Sequence, residues 1–227
     1  METLINSNQI LGGTGSKIKI LNVVQNGSLT RNGSVYSDFS SSNYLQLGDN
    51  INGGYISLGN NVKNFNNFFS TANSWEVNGS FTLGNITNNQ MILSSDTGES
   101  KGIYFYYNYN DENPNNTLTI VFCASGGLVI IRTEANYITA NTKYYFRLQF
   151  TGSEYKFYLN TDGETYDNTT LIGYETNANK CYDTNDLRIG KSPWAGIGSL
   201  NSDAEINLAD WNIKKNGEYF WKGVETI

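Results

Sequence analysis

Histidine is absent from all 227 residues. That removes Ser-His-Asp and Cys-His nucleophilic catalysis, and imidazole-based metal sites, in their usual forms. Cysteine is nearly absent as well. Cys123 and Cys181 lie far apart and belong to no C-x-x-C pair, so a zinc site is not expected. They read as two buried thiols rather than a disulfide, because a lone Cys packs as a small hydrophobe. Charge is sparse, at 16% of residues, and the 15 basic side chains are outnumbered by 21 acidic ones. A scattered net charge of −6 offers no footprint for a phosphate backbone and no polybasic patch for anionic lipid. Nucleic acid is therefore not an expected partner. Membrane insertion is not expected either, since an apolar run such as Leu128-Val129-Ile130-Ile131 is far too short to span a bilayer. The opening Met1-Glu2-Thr3-Leu4-Ile5-Asn6-Ser7 has neither the basic nor the apolar segment of a signal peptide. Proline occurs twice and alanine is scarce, so little helix is expected.

What remains is aromatic and turn-rich. Sixteen Tyr, eleven Phe and four Trp favour strands and bury large areas at low rotamer cost. Abundant Asn and Gly supply the positive-φ positions that turns need. Short alternating segments recur between turn signals, the spacing of a sandwich or jelly roll. Tyr144, Phe146, Leu148 and Phe150 share one strand face, and Tyr155, Phe157 and Leu159 share another across Thr151-Gly152-Ser153. Both faces must meet one core, which sets the register. Trp75, Val77, Phe81 and Leu83 form a third such face if Asn78-Gly79 is counted inside the strand. Val35 to Phe39, Tyr44 to Leu47, Gly102 to Tyr107, Leu118 to Phe122 and Leu128 to Arg132 read as further strands. So do Leu187 to Gly190 and the continuous run Ile206 to Ile213. Asn216-Gly217 marks a tight turn into Tyr219-Phe220-Trp221. Residues 28–227 are thus expected to form one sandwich. Residues 1–27 are either its first strand or an arm for anchoring or oligomerisation.

The run Tyr144 to Phe150, the hairpin Tyr155 to Asn160 and Leu187-Arg188-Ile189-Gly190 together resemble the core of laminin-G-like and concanavalin A-like jelly rolls. The closing stretch, with Ile206-Asn207-Leu208, Ile213, Asn216-Gly217 and Trp221, is similar to the last strands of such domains in phage tail and head fibres. Those domains carry Asp where this chain has Asn207. Asp38-Phe39-Ser40-Ser41-Ser42-Asn43-Tyr44-Leu45 also looks like their opening segment. The resemblance covers nearly the whole chain. It implies an all-β, antiparallel jelly-roll β-sandwich of the concanavalin A-like lectin/glucanase fold with little helix. It also implies a non-enzymatic virion protein, a homotrimeric fibre or appendage contacting host surface glycans or other virion proteins. The alternative is a carbohydrate-binding module or lectin of a secreted bacterial protein, located outside the cell.

Glucanases of this fold place their carboxylates as E-x-D-x-x-E on one strand face, and no Glu-x-Asp occurs here. Asp203-Ala204-Glu205 has the reversed order in a polar segment and reads as a solvated loop. No resident cofactor is expected. For calcium, Asp96 to Glu99, Asp162 to Glu164 and Asp183 to Asp186 each supply too few oxygens alone and read as β-turns opened by Asp. A sugar site needs an aromatic platform beside groups that pair with hydroxyls. Trp194, in a Pro- and Gly-flanked loop, is the first candidate, with Tyr182 and Asp183 in the preceding loop. The alternative for Trp194 is a ring tucked over the end of the sandwich. The run Tyr104 to Tyr109 should turn half its rings outward, as a glycan platform or a subunit contact.

Overall fold

Burial follows the alternation of the sequence most clearly in one hairpin. Along Lys143–Phe150 every second residue is buried, and the same holds from Glu154 to Leu159. The structure, a computed structural model, describes residues 67–95, 101–108, 116–182, 187–192, 202, 204–223 and 225–226. It also describes the short strands at 3–4, 10–11, 18–19, 30–32, 44–46 and 55–57. The segment Val35 to Phe39, Trp194 and Asp183 lie outside the described residues.

In chain order the early strands are β1 (Thr3–Leu4), β2 (Ile10–Leu11), β3 (Ile18–Lys19), β4 (Thr30–Asn32), β5 (Tyr44–Gln46) and β6 (Tyr55–Ser57). One helical turn, α1 (Phe68–Thr71), precedes β7 (Trp75–Thr82), β8 (Gln90–Ser94), β9 (Gly102–Tyr107), β10 (Leu118–Ala124) and β11 (Gly127–Arg132). Then come β12 (Lys143–Phe150), β13 (Glu154–Asn160), β14 (Leu171–Thr176) and β15 (Arg188–Ile189). The chain closes with β16 (Glu205–Asn207), β17 (Asn212–Lys215), β18 (Glu218–Lys222) and β19 (Glu225–Thr226). The first sheet runs β1-β4-β6-β15-β8-β9-β10-β11, and the second runs β14-β13-β12-β7-β16-β5, with β17 and β18 joined through β7. β19, β3 and β2 form a small third sheet. All pairings are antiparallel, and the chain passes repeatedly from one large sheet to the other. That is a jelly-roll β-sandwich with almost no helix.

Aromatic rings fill the space between the sheets. Trp75, Phe122, Phe150 and Tyr155 pack with ring centroids 4.7–6.3 Å apart, and Phe105 reaches Phe146 and Phe157 across the core at 5.0 and 5.3 Å. Burying each such ring is worth roughly 1.5–3 kcal/mol. Cys181 belongs to this inner core, whereas Cys123 sits with Met91, Tyr106 and Val121 on the outer side of the first sheet. Both cysteines are buried thiols, not a disulfide. Asparagine serves the turns as expected: Asn67, Asn108, Asn116, Asn136, Asn141 and Asn216 all have positive φ. Asn216 (φ 55°) and Gly217 (φ 86°) form the two-residue turn between β17 and β18, with both central residues in the left-handed region as a type I′ hairpin turn requires.

Two expectations are corrected. The run Ile206 to Ile213 is not one strand. A 3-10 turn, Leu208–Asp210, separates β16 from β17 and places Trp211 at the junction. Glu205 faces Thr82 of β7, while Asn212 faces Asn78, so the turn absorbs the surplus residues between two pairings on one strand. Asn207 starts that turn, its side-chain oxygen accepting from the Ala209 N–H at 3.1 Å, so the amide supplies the oxygen an Asp would. The tyrosines of β9 that point outward are not an open platform either. Tyr104 and Tyr106 stack at 5.9 Å, and Tyr106 is only 5% exposed within the outer cluster.

Candidate functional site

The inward faces of β7, β12 and β17 are apolar, so alternation turns their polar residues to the outer face of the second sheet. Register then aligns them in rows. Asn78 lies opposite Arg147 on one side and Asn212 on the other. The Asn78 Nδ2 donates to Asn212 Oδ1 at 3.0 Å, and Arg147 Nε donates to Asn78 Oδ1 at 2.8 Å. The next row holds Lys214, Glu76 and Gln149. Lys214 Nζ reaches one Glu76 oxygen at 3.1 Å, and Gln149 Nε2 donates to the other at 3.2 Å. On the opposite flank, Asp210 accepts from Ser80 Oγ and pairs with Lys143 Nζ at 2.7 Å. Burial alone would push the Lys143 ammonium down, but the hydrogen bonds and charges of Asp210 and Tyr145 hold it above its usual value.

A loop after β13 builds one wall. Asp162 folds it, accepting from the Glu164 and Thr165 N–H groups at 2.8 and 2.9 Å and from Thr165 Oγ1 at 2.6 Å. These hydrogen bonds hold its carboxyl below the usual range, and they make Asp162 the opening residue of a turn. Asn160 ties the same loop down, accepting from Gly163 N–H and donating to the Thr165 carbonyl. Gly163 (φ 76°) passes so near Tyr145 that a Cβ there would lie 2.9 Å from the ring. The loop thereby delivers Tyr166 to Arg147, whose guanidinium carbon stands 4.0 Å from the ring centroid. Partial burial pushes the Tyr166 phenol up, against the opposing pull of the Arg147 charge.

Between these walls runs a groove of about 250 Å³. Tyr145, Tyr166 and Tyr219 supply rings, and Asn78, Arg147 and Asp210 supply hydrogen-bonding groups. Tyr219 is 57% exposed at the rim, with Lys222 Nζ 4.1 Å from its ring centroid. Rigid strands carry most of the groove, and cross-strand hydrogen bonds orient its side chains, so it is organised before any ligand arrives.

Of the sequence-derived candidates only Tyr182 is among the described residues, and it lies away from the groove. Tyr182 sits beside the β10–β11 hairpin, its hydroxyl donating to the Ser125 carbonyl at 3.3 Å and its N–H to the Cys123 carbonyl at 3.0 Å. It is 45% exposed and does not line the groove. Arg147, Asn78 and Lys214 carry no motif that marks them as a site in the sequence. Alternation does carry a signal, since Asn78, next after the inward Val77, and Arg147, between Phe146 and Leu148, must face outward. Among the described residues no group of three or more Cys, Asp or Glu is placed to hold a metal ion, and no helix is long and apolar enough to cross a membrane.

No protein-family model matches this chain, and no curated protein matches its sequence. Solved structures do match it. One study describes how botulinum neurotoxin type C depends on interaction with two ganglioside molecules to enter cells. Its structure aligns with a TM-score of 0.56 and 12% identity over 89% of this chain and 47% of that one. The binding domain of botulinum neurotoxin serotype D aligns with a TM-score of 0.54 and 10% identity over 94% and 46%. The binding domain of botulinum neurotoxin DC, in complex with rat synaptotagmin II, gives 0.53 and 11% over 89% and 47%. The chain thus spans about half the length of these neighbours. At such identity what is shared is the fold, a two-sheet jelly-roll sandwich.

Proposed function

We propose that this chain is a non-catalytic adhesion module that holds a glycan in the groove on the outer face of its second sheet. The observation that carries this reading is the groove's composition. Tyrosine rings are interleaved with amides and a carboxylate that are already fixed by hydrogen bonds across the strands. Aromatic faces stack on the C–H face of a sugar, and amide and carboxylate groups pair with its hydroxyls. The ganglioside interaction described for one fold neighbour is recognition of the same chemical kind. Catalysis is disfavoured because Glu76 and Asp210 are each held by a lysine. That arrangement neutralises charge and does not leave a carboxyl group ready to donate a proton.

The setting we propose is a phage virion, as a fibre or appendage that meets host surface glycans or neighbouring virion proteins. It rests on the sequence resemblance of the closing strands and of Asp38 to Leu45. A homotrimer would convert weak single sites into useful avidity.

A glycan array probed with the full chain and with Tyr219→Ala tests the binding reading. Tyr219 is exposed, so its removal should leave the fold intact and cut binding about tenfold, the usual scale for losing one stacking ring. Absence of any glycan signal, or a signal indifferent to Tyr219, would overturn the groove as the site. Light scattering addresses the setting. A trimer is expected, whereas a monomer would move the assignment to an isolated module of a secreted bacterial protein.

A further inference from the structure

We infer that the groove selects acidic glycans, with the Arg147 guanidinium receiving a sugar carboxylate; this rests on the glycan reading above and names its ligand class. Arg147 is held on two sides. Its Nε donates to Asn78 at 2.8 Å, and its guanidinium carbon stands over the Tyr166 ring, 4.0 Å from the centroid. Neither contact uses the terminal Nη groups, and no described residue accepts a hydrogen bond from them. A planar fork with fixed orientation and open donors matches a planar carboxylate, which takes two parallel N–H···O bonds.

The charge around the groove points the same way. Three cations, Lys143, Arg147 and Lys214, stand beside two carboxylates, Glu76 and Asp210, with Asp162 in the loop wall and Lys222 at the rim. Asp210 is committed to Lys143, and Glu76 sits 3.1 Å from Lys214 but 4.0 Å from Arg147 Nε. Of the three, Arg147 therefore has the weakest internal compensation. A neutral sugar would leave the Arg147 fork without a counter-charge. A sugar acid brings its carboxylate to that fork, while its hydroxyls meet Asn78 and Asn212.

The test is calorimetry on the full chain with a galacturonic acid trisaccharide and its methyl ester, which keeps every hydroxyl and loses only the charge. A sialylated trisaccharide and its neutral lactose core form a second pair, and a sulfated disaccharide a third arm. The acids should bind about tenfold more tightly than their uncharged partners, and the gap should shrink as salt rises. Arg147→Lys keeps the charge without the fork and should lose most of the gap. Arg147→Gln should abolish it. Equal affinity for acid and ester overturns the acidic assignment, and if neutral glycans still bind, the glycan reading survives. Sulfate binding as tight as carboxylate overturns the carboxylate as the group received, because a guanidinium fork pairs with two oxygens of either anion. If no sugar binds at all, both readings fail. The acid–ester comparison on the unaltered protein decides the matter even if the Arg147 variants do not fold.

Discussion

The indole of Trp211 occupies the place where a side chain at position 79 would stand. A Cβ built on Gly79 would lie 2.6 Å from two atoms of that ring and 2.9 Å from the Phe146 ring. Gly79 is thus the inward position of β7 between Val77 and Phe81, left empty so that a tryptophan arriving from the 3-10 turn before β17 can enter the core. The indole then donates from Nε1 to the Ser80 carbonyl at 2.9 Å, fastening itself to the strand beside the gap.

Gly79→Ala should therefore destabilise the fold although it adds only one methyl group. Neither indole nor phenyl ring has room to retreat in a core this closely packed. Overpacking of this kind costs about 1–3 kcal/mol. Urea denaturation followed by tryptophan fluorescence measures it, and a change under about 0.5 kcal/mol would show that Trp211 moves aside freely.

The two most buried tryptophans among the described residues, Trp75 and Trp211, should respond differently to phenylalanine. Trp211 spends its N–H on the Ser80 carbonyl, whereas the buried Trp75 Nε1 finds no partner among the described residues. Trp75→Phe loses ring volume but also removes a desolvated donor. Trp211→Phe loses volume and leaves the Ser80 carbonyl one bond poorer. The second substitution is expected to cost about 1–2 kcal/mol more than the first. Equal losses in parallel denaturation curves would mean that the Trp211 hydrogen bond contributes nothing net.

The gap at Gly79 also marks where reading the sequence reaches its limit. Trp75, Val77, Phe81 and Leu83 were legible as one face because period-2 alternation is a local property of the chain. The hairpin at Asn216-Gly217 was legible because its backbone geometry selects those residues. The ring that fills position 79 comes from more than 130 positions away, and nothing local announces it. The 3-10 break was hidden for a related reason: Ile206, Leu208, Trp211 and Ile213 are all buried, and only the change of partner along β7 demands the turn. The groove was half legible. Alternation turns Asn78, Arg147 and Lys214 outward, but their convergence depends on the register of three strands, and Tyr166 joins them only through the fold of its loop.

Alkaline pH should weaken the protein through its buried phenols. Tyr155 is fully buried between Phe122 and Phe150, donates to the Asn179 carbonyl at 2.6 Å and lies within reach of the Cys181 thiol. Burial, aided by the Cys181 thiol, pushes its ionisation far above the usual value, and burial raises Tyr107 as well. In the unfolded chain these groups lose their protons near pH ~10, while in the folded chain they keep them. Their contribution is therefore fully present below about pH 10 and is lost progressively as pH rises toward the folded value. Each such phenol should lower the unfolding free energy by up to ~1.4 kcal/mol per pH unit in that range. Tyr155→Phe should be weaker at neutral pH by about 1 kcal/mol, the net worth of a lost hydrogen bond. Its decline between pH 10 and 11.5 should nonetheless be shallower, because one fewer proton is released on unfolding. Urea midpoints at pH 8, 10 and 11 for both proteins read the two slopes. Parallel slopes would mean that Tyr155 ionises as easily in the folded core as in the open chain, and the burial argument for it would fail.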